Sequence, residues 1–187
     1  MAKKSGDANR IRLNILTAAS GLFAKQGIGG TSLFDIAAAA AISKGTLYYH
    51  YPTKQLLLED IVRLRVNEIT DTLYAWLETL DRDGDPATAL HSLLEFLLQD
   101  PAALRLSAAL QAEAALGNES LVALFDAAYH KWSLMLEVGA LKMPPGAAAR
   151  IEGMPRAVFA LLDGFAVHEL LGMDHACREH LVALLLA

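Results

Sequence analysis

Along most of this chain apolar residues recur every three or four positions, the spacing of one helix face. Ile11, Ile15, Ala18, Leu22 and Phe23 form such a stripe over residues 9–26, and Gly27 closes it. Leu33, Ile36, Ala37 and Ala40 make a second, shorter stripe. Thr31 and Ser32 are its candidate caps, and Asp35 suits its positive N-terminal end. A break follows at Ala41-Ile42-Ser43. Ser43 caps a third helix from Lys44 to about His50, with Leu47 and Tyr51 pointing back one turn apart. Pro52 stops it and Thr53 caps the next. The core of this three-helix part is predicted to be Ile15, Leu22, Phe23, Ile36, Leu47 and Tyr51.

A long stripe over 54–80 follows, carrying Leu57, Leu58, Ile61, Leu64, Ile69, Leu73, Trp76 and Leu77. The loop Asp81–Pro86 ends it. Further helices are predicted over about 87–99, 101–116, 119–142, 148–172 and 174–187, with Gly153 and Pro155 blurring the start of the fourth. Residues 1–8 are polar and read as a disordered arm. The pattern predicts an all-α chain of about nine helices. Its domains are residues 1–53, a three-helix N-terminal module, and residues 54–187, a helical body.

Charge sharpens the picture. Residues 1–65 hold nine Lys and Arg against four Asp and Glu, and residues 66–187 hold seven against seventeen. A basic N-terminal third on an acidic remainder suits nucleic acid binding at one end. The third helix keeps Lys44, Thr46, Tyr48, Tyr49 and His50 off its apolar side, which suits entry into a DNA major groove. The lone cysteine, Cys177, rules out an intrachain disulfide and fits a reducing cytoplasm. The basic start and the apolar run after it resemble an export leader, but Asn14, Thr17, Ser20 and Lys25 interrupt the run. No apolar stretch reaches the length of a membrane span. No nucleophile–base pair or phosphate loop points to an enzyme, and no cofactor is implied.

Residues 10–60 resemble the DNA-binding domain of the TetR family of transcriptional regulators. The family pattern is roughly Thr…Ile-Ala…Ala-Gly-Val-Ser-x-Gly-x-Leu-Tyr-x-His-Phe…Lys…Leu. Here stand Thr31, Ile36-Ala37, Ala41-Ile42-Ser43, Lys44-Gly45-Thr46-Leu47-Tyr48-Tyr49-His50-Tyr51, Lys54 and Leu57. The departure is Ala41, where the family has Gly at a positive φ; alanine there costs about 1 kcal/mol relative to glycine. The resemblance implies a helix-turn-helix DNA-binding domain. Thr31, Tyr49, His50 and Lys54 become phosphate contacts, and Lys44, Gly45, Thr46 and Tyr48 the groove-facing set.

For the body, the resemblance implies a ligand-binding and dimerisation domain. Trp76, Phe96, Gln111, Glu113, Phe125, Tyr129 and Trp132 are the ligand-site candidates, with His91 and His130 as further polar ones. Their bias toward apolar and aromatic side chains points to a small hydrophobic effector. The last two helices are expected to pair with a second copy through Phe159, Leu162, Phe165, Ala166, Leu170, Leu181 and Leu184. A homodimer reads a palindromic operator in double-stranded DNA, with half-sites about 34–36 Å apart. The His168-Glu169…Asp174-His175-x-Cys177-x-Glu179-His180 cluster carries zinc-type ligands. Gly172 replaces the second histidine of a His-Glu-x-x-His pattern, so it reads as a polar corner without metal. The expected function is a ligand-released repressor; the alternative is an architectural or division-type DNA-binding factor of the same fold without a ligand.

Overall fold

The structure, a computed structural model, describes residues 2–143 and 154–173, with side chains from Asp7 onward. Among the described residues there are eight helices and no strand: α1 Ala2–Gln26, α2 Leu33–Ala39, α3 Lys44–His50, α4 Lys54–Thr79, α5 Pro86–Leu98, α6 Pro101–Ala115, α7 Glu119–Leu141 and α8 Pro155–Leu170. The helix expected over 174–187 lies outside the described residues, as do residues 144–153, where the start of α8 was expected. The arm expected over residues 1–8 is instead helical from Ala2. It lacks proline, and a helix already nucleated on its packed end extends at little cost.

The helix ends follow their caps. Ser32 makes a capping box with Asp35: its hydroxyl receives the Asp35 amide, and its own amide donates to the Asp35 carboxylate at 2.8 Å. Ser43 caps α3 by accepting the Thr46 amide at 3.0 Å, and Asp85 caps α5 from the Ala87 and Thr88 amides. At the end of α2 the Ile42 amide returns to the Ala37 carbonyl and the Ala41 amide to the Ala38 carbonyl. That is a Schellman closure, which needs a left-handed residue. Ala41 supplies it at φ 52°, the one non-glycine with positive φ among the described residues.

The described chain divides into two compact units. The first comprises residues up to Arg65 with Arg105–Leu124; the second comprises Val66–Leu104 with the residues from Phe125 on. In the first, Ile15, Phe23, Ile36, Leu47 and Tyr51 are buried as predicted, whereas Leu22 is half-buried; Ala19, Ile28, Leu57 and Ile61 complete the core. Gln55 and Asn118 face each other as reciprocal amides: Asn118 Nδ2 donates to Gln55 Oε1 at 2.8 Å, and Gln55 Nε2 donates to Asn118 Oδ1 at 3.1 Å. This pair ties the start of α4 to the α6–α7 turn.

The second unit is built on Leu73, Trp76, Leu93, Leu94, Trp132, Leu136 and Phe159. Both indoles are anchored: Trp76 Nε1 donates to the Ala89 carbonyl at 2.8 Å and Trp132 Nε1 to the Thr70 hydroxyl at 2.9 Å. Gly139 lets α7 pass close to α4, since a Cβ there would sit 3.0 Å from both Leu77 and Trp76.

Candidate functional site

Helix α3 has two distinct sides. Leu47 and, at its C-terminal cap, Tyr51 are buried, fixing the helix to its unit. Lys44, Gly45, Tyr48 and Tyr49 face solvent, Tyr49 at 83% exposure; Thr46 and His50 are half-buried. The Thr46 hydroxyl is 2.9 Å from that of Ser43, and the His50 ring meets Tyr49 edge-on at 5.2 Å. Lys44 carries its ammonium 4.2 Å from the centroid of the Phe34 ring. The free side of α3 thus presents one cation, phenol hydroxyls and an imidazole, groups that donate to phosphate and base acceptors.

Thr31 and Lys54 are placed differently. Thr31 is 2% exposed, and its hydroxyl donates to the Gly27 carbonyl at 2.8 Å while receiving Gln26 Nε2. That hydroxyl hydrogen is therefore in use within the α1–α2 loop. The Lys54 ammonium donates to the Thr31 carbonyl at 2.7 Å and to the Ile28 carbonyl. One of its three N–H donors is left.

Behind α3 lies a network that sequence reading missed. Tyr51 donates its hydroxyl to Asp60 Oδ2 at 2.9 Å, Arg12 Nε donates to the same hydroxyl at 3.1 Å, and Arg12 also pairs with Asp60. It joins α1, the end of α3 and α4. Burial, with hydrogen bonding to Asp60, pushes the Tyr51 phenol up to about 12. Hydrogen bonds with Tyr51 and Asp60 raise Arg12 further above its ordinary value. The signal was present: tyrosine stands where the resembled pattern has phenylalanine, and the added hydroxyl needs partners once buried.

The ligand-site candidates separate. Phe125, Tyr129 and Trp132 come together on α7, with ring centroids 6.4 Å and 5.3 Å apart in sequence order. Phe159, expected at the dimer interface, joins them at 5.7 Å from Trp132. Tyr129 donates its hydroxyl to Asp163, and Ser133 has a buried hydroxyl without a partner. Trp76 is buried in the same unit. Phe96 is 60% exposed. Gln111 and Glu113 are half-buried residues of the first unit; His91 and His130 are exposed. A surface cleft of about 280 Å³ is lined by Thr79, Asp81, Asp85, Thr88, Ser92 and Met143, among others, none of them candidates.

Of the dimerisation candidates, Phe159, Leu162 and Phe165 are buried inside the second unit, and Ala166 and Leu170 pack partly against its core. The apolar surface of Phe159, Leu162 and Phe165 is thus spent within the protomer. The other face of α8 exposes Ala157, Leu161, Gly164, Val167 and Leu171. Leu181, Leu184 and the polar cluster from Asp174 to His180 lie outside the described residues. Among the described residues no three His, Cys, Asp or Glu side chains converge on a metal position, and no helix is long and apolar enough to cross a membrane.

Residues 15–61 match the model of the bacterial regulatory proteins of the tetR family. The transcriptional regulator AcrR of Shigella flexneri is 33% identical over 100 residues, covering 53% of this chain and 46% of AcrR, less than half its length. LmrA, a transcriptional regulator of Bacillus subtilis, is 30% identical over 162 residues, 82% of each chain. A regulator from Saccharomonospora viridis, solved in complex with choline, shares the fold with a TM-score of 0.74 at 23% identity, over 95% of this chain and 94% of that one. With a helix-turn-helix matched in sequence and a relative matched over most of its length, the chain belongs to the TetR family of bacterial transcriptional regulators.

Proposed function

We propose that this protein is a homodimeric, cytoplasmic repressor that holds a palindromic operator through α3 and releases it when a small hydrophobic effector binds. The observation carrying the DNA-binding part is the two-sided α3. Leu47 and Tyr51 anchor it, while Lys44, Tyr48 and Tyr49 face solvent. Lys44, Gly45, Thr46 and Tyr48 are the base-facing group; Tyr49, His50 and the remaining donor of Lys54 hold phosphate. Thr31 shapes the loop that presents them. The dimer forms through the outward face of α8, where Leu161, Gly164, Val167 and Leu171 recur at helical spacing. The aromatic group Phe125, Tyr129 and Trp132 is the core of the effector site; a protein of the same fold is solved with a small molecule, choline.

Release requires that the effector favour one conformation over the other, since equal affinity for both shifts nothing. α4, α6 and α7 each contribute residues to both compact units and are the continuous elements able to pass on such a preference. The test is selection of bound duplexes from a random-sequence pool by the full chain. The expected result is an inverted repeat with half-sites about one turn, roughly 34–36 Å, apart. Failure to enrich any sequence overturns the reading. A thermal-shift panel of apolar, cationic and carboxylate compounds, scored for DNA release, tests the effector. Stabilisation coupled to release supports it; stabilisation of the DNA complex overturns the inducer role.

A further inference from the structure

Phe34 is 57% exposed, although it is among the largest apolar side chains of the first unit. It stands in the first turn of α2 and points away from Ile36, Ala37 and Ala40, which are buried. Its ring lies against a cation, the ammonium of Lys44, 4.2 Å from the ring centroid. Lys44 is the first residue of α3. The two short helices therefore set one phenyl ring and one ammonium side by side on a single exposed patch.

We propose that Phe34 is a specificity residue for DNA. With Lys44 donating to guanine acceptors, the Phe34 ring packs on the 5-methyl group of a thymine in the neighbouring base pair. This rests on the reading of α3 as the groove helix. A phenyl ring offers phosphate neither charge nor a hydrogen. In the major groove the apolar group available to it is the thymine methyl, and phenylalanine is among the side chains suited to that contact. The spacing fits: 4.2 Å between ammonium and ring centroid is close to the roughly 3.4 Å between successive base pairs. The ring also steadies the long lysine side chain by cation–π attraction.

The test uses a duplex selected from a random pool by the full-length protein. Each thymine is replaced in turn by deoxyuridine, which removes the methyl group alone. The wild-type protein is expected to lose about fourfold in affinity at one thymine per half-site, next to a guanine, the worth of one buried methyl. Phe34→Ala is expected to bind more weakly, to ignore that replacement and to keep its salt dependence. Phe34→Leu is expected to retain part of the sensitivity. Equal responses of wild type and Phe34→Ala to every deoxyuridine, or no response in the wild type, overturn this proposal while leaving α3 in the groove. No enriched duplex overturns both. Phe34 is exposed, so unchanged melting temperatures confirm that the variants are folded.

Discussion

Ala41 holds a backbone conformation that costs an alanine more than a glycine, because its Cβ crowds the following carbonyl in the left-handed region. Ala41→Gly relieves that crowding and loses some unfolded-state restriction, so a net gain of up to about 1 kcal/mol is expected from denaturant midpoints. Ser43→Ala removes the cap of a seven-residue helix and is expected to cost about 1 kcal/mol. Tyr51 gives a pH signature. Its phenol titrates near 10 when unfolded and near 12 when folded. The stability it contributes is complete below pH 10 and is lost as pH rises through 12. Tyr51→Phe should flatten the stability profile over that window, followed by denaturation at stepped alkaline pH; an unchanged slope would assign alkaline unfolding to other groups. At this scale the sequence was partly legible. The positive φ at residue 41 followed from alanine in a glycine position. The engagement of Thr31 and Lys54 did not, because their acceptors are backbone carbonyls, which look alike at every position.

The helices were legible because their apolar period is repeated and their ends carry side-chain caps. Ser32, Ser43 and Asp85 each stand where a cap was needed. The helical extension of α1 to Ala2 was not legible, since a polar stretch without glycine clusters or proline suits helix and coil alike. Nor was the inward turn of Phe159, Leu162 and Phe165. An apolar stripe shows that a helix face is covered, and its partner is decided by packing at long range. Gly139 tests the packing of α7 on α4. Alanine is the better helix former by about 1 kcal/mol, yet its Cβ would press on an anchored indole at 3.0 Å. Overpacking of about 1–3 kcal/mol is expected to prevail, so Gly139→Ala should lower the melting temperature.

For the molecule as a whole, the outward face of α8 and the basic N-terminal third each make a claim on solution behaviour. Val167→Asp together with Leu161→Asp should give monomers in sedimentation, with helical content intact and operator affinity reduced. A dimer surviving both changes would move the interface elsewhere. Operator affinity should fall steeply with salt, by orders of magnitude between about 50 and 200 mM, if phosphate contacts dominate. The charge asymmetry behind this was plain in the sequence. The joining of residues 105–124 to the first unit was not, since the Gln55–Asn118 pair spans 63 positions and leaves no periodic trace. The aromatic residues divide along the same line. Both tryptophans, Trp76 and Trp132, belong to the second unit, while the first has two phenylalanines and, at positions 48, 49 and 51, three tyrosines, but no tryptophan. Emission excited at the red edge of the absorption band therefore reports the second unit by itself. A denaturation curve followed by that emission and one followed by far-ultraviolet dichroism will coincide only if the units melt together. A tryptophan introduced at Tyr49, on the solvent side of α3, would add an optical channel for the unit that now lacks one.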